Sequence, residues 1–368
     1  MKTPLQLPAD STGEPAARTA AQCDKPLLRA LARENHTRPP VWFMRQAGRY
    51  HSHYQRLRAR HEFIELCKQP QLAAEVTLGP VEAFGFDAAI LFSDLLFPLE
   101  AMGMGLRYAP GPLLDWHLAE PRDLARLRVG PERIAQLAFQ AEALALLRPR
   151  LPRGCALIGF VGGPLTLYGY AVAGSHEGFA ADGLPGLDDG LYAGFLDRLL
   201  ELLAANMVLQ VEGGADCVAI FDTAAGTLGP ELFARAAAQP LARLLTLFRE
   251  RCPHTPVIYY SRDTGLAHWQ ALEGIALACL GIDWRADLVQ TLRTHAERCS
   301  VQGNIDPHWL LLEPAELERR VRALFARLLA EPASLRAGWV TGLGHGVLQQ
   351  TPESNVALVL RLQREMFG

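Results

Sequence analysis

The chain has 368 residues, 49% hydrophobic and 20% charged, with a formal net charge of -3. That length accommodates either one α/β barrel with an extension or two average domains. The near-balanced charge excludes a general nucleic-acid or membrane-surface binder, which needs a clustered cationic excess, so any anionic ligand must be met by individually placed Arg or His.

Residues 1–25 carry Pro, Ser, Thr and Ala without a continuous apolar run, and are expected to form a flexible tail rather than a secretory signal or a spanning helix. No later stretch offers the roughly 18 consecutive apolar residues that a membrane span needs, so no membrane partner and a cytoplasmic location are expected. The seven Cys are dispersed and form no CxxC pair. That pattern reads as buried thiols in a reducing compartment, not as a disulfide frame or a zinc site.

From Pro40 onward, short apolar runs alternate with longer amphipathic stretches. The strand-like runs are Pro40 to Met44, Ala88 to Ser93, Ala156 to Gly162, Cys217 to Phe221, Pro256 to Ser261, Ala278 to Ile282, Ser300 to Asn304 and Gly338 to Leu343. Between them the clearest helix is Leu191 to Val211, with Leu196, Leu199, Leu200, Leu203 and Met207 on one face. Continuous hydrophobicity suits strands buried on both faces, hence a parallel sheet covered by helices. Eight such units predict a single (β/α)₈ TIM barrel over residues 26–368. A doubly wound open sheet would want a Gly-rich turn after its first strand, and Met44-Arg45-Gln46-Ala47-Gly48 is not one. Two segments interrupt the rhythm. Ala101 to Leu118 is expected to form loops or a small hairpin over the barrel mouth, and the Gly- and Asp-rich Gly174 to Gly190 a mobile loop or lid.

The strand ends are polar. Arg45, Gln46 and Arg49 follow the first run and Ser93-Asp94 ends the second; Gly162-Gly163-Pro164 and then Tyr170 follow the third, and Asp222-Thr223 the fourth. Asp283-Trp284, Asn304-Ile305-Asp306 and His345 follow the last three. A single acid in such a place can be a helix N-cap. In a barrel, however, all these positions converge on the C-terminal rim, where barrel enzymes keep their active sites. Two Arg and one His suit carboxylate ligands, and one Asp suits a cation. No Ser-His-Asp order and no P-loop stands out. Gly342-Leu343-Gly344-His345-Gly346 is too short a glycine pattern to specify phosphate. The His51/His53 pair lacks further ligands at metal-site spacing, so a solvated loop is expected there and no metal.

These strand ends resemble the uroporphyrinogen decarboxylase family from about Leu28 to the C-terminus. The most specific block is Pro40-Val41-Trp42-Phe43-Met44-Arg45-Gln46-Ala47-Gly48-Arg49-Tyr50, followed by Phe86 to Leu96. Weaker support comes from Ile158-Gly159-Phe160 through Tyr170, Gly214 through Thr223, Gly281 to Trp284, Gln302 to Pro307 and Leu343 to Gly346. The resemblance implies an enzyme that needs no metal or prosthetic group and removes four acetate carboxyls of uroporphyrinogen as carbon dioxide, giving coproporphyrinogen. It implies that Asp94 accepts hydrogen bonds from the pyrrole N–H groups, that Arg45 sits beside the reacting acetate, and that Tyr170 contacts the central acid or that arm. Arg49, Thr223 and His345 are implied to bind substrate carboxylates, with Gln46 a further expected substrate-binding residue, and Phe221 and Phe92 to line the apolar face of the macrocycle, although barrel core is the simpler reading of either phenylalanine alone. A homodimer is implied as well.

Some positions depart from the family pattern. Leu165 stands where Trp is usual, Ala173 where Glu is common, and His51-Ser52 where Leu-Pro is usual; the segment Gly174 to Gly190 lacks the basic residues expected there. A paralogue that binds a tetrapyrrole or decarboxylates a related substrate is therefore the alternative reading. A corrinoid-dependent, zinc-binding methyltransferase of the same superfamily would need His-x-Cys after the fifth strand, where Tyr259-Tyr260-Ser261-Arg262-Asp263 stands.

Overall fold

A computed structural model of the chain describes residues 24–109, 111–175, 179, 183–295 and 297–368. The expected N-terminal tail lies almost wholly outside these residues, as does part of the expected lid. Seven strands form one parallel sheet: β1 (Ala88–Ile90), β4 (Ala156–Gly162), β5 (Cys217–Phe221), β6 (Val257–Tyr260), β7 (Cys279–Gly281), β8 (Ser300–Ile305) and β9 (Trp339–Leu343). They neighbour one another in chain order. Sequential order with a crossover at every step curls a parallel sheet in one direction. A two-stranded antiparallel hairpin, β2 (Arg107–Tyr108) with β3 (Pro112–Leu113), stands apart, where a hairpin was expected.

The expected strand Pro40 to Met44 is reduced to one parallel bridge, Val41 to Thr341 of β9. Pro39 and Pro40 carry no N–H to donate, and the N–H of Phe43 is taken by the Gln46 side chain at 3.1 Å. The segment still spans the gap between the last strand and the first. Trp42 N–H donates to Thr341 O, Thr341 N–H to Pro40 O, and Asp87 N–H, just before β1, to Val41 O. The second run is also shorter than expected, because the N–H of Phe92 leaves the sheet for the Thr77 hydroxyl at 2.8 Å.

Every residue of the seven strands is buried, which is why the sequence shows no alternation; the alternation appears only in what each side chain touches. Ala88, Ile158, Ala219, Ile258, Cys279 and Val340 belong to an inner cluster. Val218, Ile220, Val257, Leu280, Val301 and Trp339 pack instead into the outer core with the helices. The helix Leu191–Glu212 supplies Phe195, Leu199, Leu203 and Met207 to that outer core. One end of the inner cluster is stopped by the short helix Pro26–Leu31, whose Leu27, Leu28, Ala30 and Leu31 are buried within it. Lys25, ahead of that helix, is pinned to Asp216 at 2.6 Å, and Asp216 also holds Arg148 and the N–H of Leu157, each at 2.7 Å.

Candidate active site

The C-terminal ends of the strands face away from that plug and carry the polar residues singled out in the sequence. Arg45 sits in the turn after Met44 with φ of 62°, a left-handed conformation that costs a non-glycine residue on the order of 1 kcal/mol and needs surrounding structure to hold it. The holding is visible: Val347 N–H donates to Met44 O at 2.9 Å, and Gly346 lies so close that a Cβ there would stand 2.4 Å from Arg45 Cδ. Arg45 and Arg49 both reach solvent. Desolvation by the walls of the cleft, followed by the like charge of Arg49, lowers the pKa of Arg45, while Tyr170, Tyr260 and Asp94 act in the opposite sense.

Asp94 lies just past β1. Its Oδ1 accepts the N–H of Leu96 at 2.9 Å, a local turn that sets the carboxylate direction. Burial pushes the Asp94 carboxyl above the usual aspartate range; the Leu96 N–H, Tyr108 and Arg45 resist that rise, and Glu100 adds to it. The Tyr108 phenol belongs to the β2 hairpin and was not foreseen. Its hydroxyl is buried beside Asp94 but short of full hydrogen-bond geometry with it or with any other group among the described residues. Its ring stands edge-on to Phe63 with centroids 4.6 Å apart.

Tyr170 is carried on the helix Pro164–Ala173, half-buried and within electrostatic range of Arg45. The start of that helix is fixed by Asp222, at the end of β5, whose Oδ1 accepts the N–H of Thr166 at 2.8 Å. Gly163 permits this approach, since a Cβ there would fall 2.2 Å from Asp222 Cγ. Asp222 is fully buried, and desolvation raises its carboxyl to about 6. Thr223 follows it, buried. The Phe221 ring packs against Phe160 and Tyr260, with centroids 5.6 and 6.3 Å away. Phe92 packs against Tyr54 and Phe63, on the Tyr108 side.

His345 follows β9 and is half-buried; its ring stacks on Tyr260 at 5.9 Å with planes 17° apart. Tyr260, also not foreseen, ends β6 level with Phe221, its register partner on β5. Membership in the inner set, one strand over from Phe221, was the signal that could have found it. For Tyr108 the sequence carries no such signal. Gln46, expected among the substrate-binding residues, is fully buried, and its amide is taken up by the framework through Phe43 N–H and the Ala88 carbonyl at 2.9 Å. Asp94, Arg45, Arg49, Tyr170 and Tyr260 thus form one electrostatic neighbourhood, with His345 and Phe221 joined to it through Tyr260.

Elsewhere, a cavity of about 380 Å³ lies between the segments after β6 and β7, lined by Thr264, Trp269, Asp283, Arg285 and Asp287 among others, and includes none of the expected site residues. Among the described residues no group of three or more His, Cys, Asp or Glu is placed to hold a metal ion. No helix among them is long and apolar enough to cross a membrane. The six described cysteines are buried and free.

The arrangement offers a half-buried, desolvated carboxylate as counter-ion to a cation, two guanidiniums for carboxylates, and an aromatic wall. Comparison with known proteins points the same way. The family model described as Uroporphyrinogen decarboxylase (URO-D) matches residues 23–366. A uroporphyrinogen decarboxylase of Chloroflexus aurantiacus is 38% identical over 336 residues, covering 89% of this chain and 92% of the relative. That of Syntrophotalea carbinolica is 39% identical, covering 88% and 92%, and that of Acidiphilium cryptum 37%, covering 95% and 96%. Among solved structures, a methyltransferase from Methanosarcina mazei superposes with a TM-score of 0.73 at 18% identity over 94% of this chain and 99% of its own, which speaks for the fold alone.

Proposed function

The chain belongs to the uroporphyrinogen decarboxylase family and is a carboxy-lyase by that membership, and from this premise we propose that it converts uroporphyrinogen III to coproporphyrinogen III at the strand-end cleft around Asp94. The observation that carries the assignment to this cleft is the enclosed Asp94 carboxylate within electrostatic range of Arg45.

Losing carbon dioxide from an acetate arm leaves an electron pair on the methylene carbon, which needs a sink. A pyrrole ring protonated at carbon is that sink, so the substrate supplies its own. The C–COO⁻ bond breaks, its electrons neutralise the ring cation to leave an exocyclic methylene, a proton then completes the methyl group, and the proton first added at the ring carbon leaves to restore the pyrrole. Asp94 accepts the pyrrole N–H groups and stabilises the transient positive ring; a unit charge pair at about 4 Å contributes roughly 4 kcal/mol at an effective dielectric near 20. Because the full charge exists only on the way through the reaction, that interaction raises turnover rather than binding alone. Desolvation strengthens it, at the cost of a carboxyl that is harder to ionise.

Arg45 holds the reacting acetate with a fork that matches carboxylate geometry, and Arg49 a second arm. Tyr170, across from Arg45, borders the same arm; Thr223 and His345 take further carboxylates, with Phe221 and Phe92 against the macrocycle. In architecture we extend the seven-stranded sheet to a (β/α)₈ barrel whose remaining stave is residues 40–44, supported by the contacts of that segment with β9 and with Asp87. The barrel domain takes in residues 26–368. A reducing cytoplasmic setting is supported by the buried free thiols, and a homodimer by family resemblance alone.

The test is anaerobic incubation with uroporphyrinogen III and chromatography of the products. Species with seven down to four carboxyls are expected. Tight binding without any of them would replace the enzyme by a tetrapyrrole-binding relative.

A further inference from the structure

The helix Pro164–Ala173, which carries Tyr170, does not cap itself. Its N-cap residue is Gly163, which has no side chain, and Pro164 has no N–H, so the first-turn amide of Thr166 needs an acceptor from elsewhere. Asp222 supplies it from 56 residues further on, its Oδ1 accepting that amide at 2.8 Å. The link runs both ways. Thr166 Oγ1 accepts the N–H of Ala224 at 3.0 Å, and the Gly163 N–H donates to Phe221 O at 2.8 Å. The Thr166 hydroxyl also acts on the Asp222 carboxyl as a hydrogen-bond partner. Thr166, Asp222 and Ala224 are fully buried, so solvent does not compete for these groups. Residues 163–166 are thereby stapled to the turn that ends β5.

Thr166 and Tyr170 are four residues apart in one helix, hence on one face, with Tyr170 about 6 Å further along the axis. The face that Thr166 presents to the end of β5 is thus the one that carries Tyr170, which stands within electrostatic range of Arg45. We propose that Thr166 is a positioning residue for the decarboxylation: its hydroxyl, held between Ala224 and Asp222, fixes the helix start so that Tyr170 meets the reacting arm. The inference rests on the functional reading above, in which Tyr170 borders that arm. Thr166 is enclosed and touches no substrate, so its effect on rate passes through what its helix carries. Displacement of a group at a reacting centre by about 1 Å costs up to about a hundredfold in rate.

The experiment is anaerobic steady-state kinetics with uroporphyrinogen III on Thr166→Val and Thr166→Ser, each made in the wild-type chain and in Tyr170→Phe. Valine matches threonine in shape but offers Ala224 no acceptor; serine keeps the hydroxyl. Thr166→Val is expected to lower kcat about tenfold when Tyr170 is present, the effect of one buried hydrogen bond. In Tyr170→Phe, where no phenol is left to misplace, the same change should cost less than about twofold. Thr166→Ser should stay within about twofold of the wild-type kcat. A loss of folded protein would lower kcat by one factor in both backgrounds, so equal losses, or no loss, overturn the proposal. Thr166→Ala, in which a water can reach the Ala224 N–H, takes the place of the valine variant if that one does not fold. In parallel, ¹⁹F NMR of the 3-fluorotyrosine protein, with Tyr170 assigned by its loss in Tyr170→Phe, should show that resonance moved or broadened in Thr166→Val and unmoved in Thr166→Ser. A wild-type protein that turns over no uroporphyrinogen ends the functional reading, and the resonance then judges the positioning alone, as it does if Tyr170→Phe is too slow to compare. A Tyr170 signal indifferent to Thr166→Val refutes it.

Discussion

Asp222 Oδ1 accepts the backbone N–H of Thr166 at 2.8 Å, so the acid that ends one strand caps the helix that carries Tyr170. An acid at a strand end is ambiguous between catalysis and capping, and here two such acids have different partners. Asp222 is enclosed by framework groups, including the Tyr259 hydroxyl at 3.5 Å, whereas Asp94 beyond β1 stands beside Arg45.

The first prediction concerns Asp222 and pH. Its carboxyl is held at about 6 in the folded chain, against about 3.8 unfolded, because burial disfavours the charge. The native state therefore binds more protons between these values, and its stability falls as pH rises through that window, by roughly 3 kcal/mol in all, then levels off. Asp222→Asn keeps an oxygen for the Thr166 N–H and carries no charge. Its advantage over the wild-type chain, read from denaturant midpoints at pH 4, 5, 6 and 7, should grow across that range and then hold constant. Parallel curves would remove this account of Asp222.

Asp94→Ala should fold normally, because the hydrogen bond that Asp94 accepts from Leu96 N–H is confined to its own turn, yet lose about three orders of magnitude in turnover, as expected for a lost charge contact of roughly 4 kcal/mol. Circular dichroism and product chromatography check the two halves. A variant with near-normal turnover would take Asp94 out of the mechanism.

Tyr108→Phe tests the group that the hairpin brings to Asp94. The phenol lowers the Asp94 pKa, so its removal should raise that pKa further. In the proposed mechanism Asp94 acts as a carboxylate, so activity should disappear as pH falls through its folded pKa, and the acid limb of kcat/KM should move to higher pH, with the plateau above it little changed. An acid limb that stays in place would show that the hydroxyl does not act on Asp94.

Asp216→Ala tests the opposite end of the strands. It would strand Lys25, 7% exposed, without its partner at 2.6 Å and leave the N–H of Leu157 unpaired. Breaking a buried pair from one side costs about 3 kcal/mol or more. The thermal midpoint should drop by several degrees while KM at low temperature is unaffected, because the residue lies at the plugged end. A change in KM without loss of stability would contradict this placement.

Much of this was legible before any coordinates. Five-to-seven-residue apolar runs between amphipathic stretches specify strands buried on both faces, and β4 and β5 have the expected limits. The arginine turn and the acid after β1 are visible because charge that closely follows an apolar run is conspicuous. The failures have local causes. Pro39, Pro40 and the Gln46 amide turn an apolar run into a single bridge, and Thr77 ends β1 early, since hydropathy does not register which partner a backbone N–H will find.

By itself the sequence determined the class of fold and the polar strand ends, since both follow from the order of apolar and charged residues along the chain. Only the tertiary structure decided which of those polar groups face the cleft and which are spent on the framework. Asp94 and Asp222 read alike in sequence, as do Tyr259 and Tyr260, yet each pair is divided between cleft and scaffold. The reason is that a residue's chemical role depends on its partners and its solvation, and both are set by segments far away in the chain: the β2 hairpin that brings Tyr108 to Asp94, and the β9 loop that stacks His345 on Tyr260.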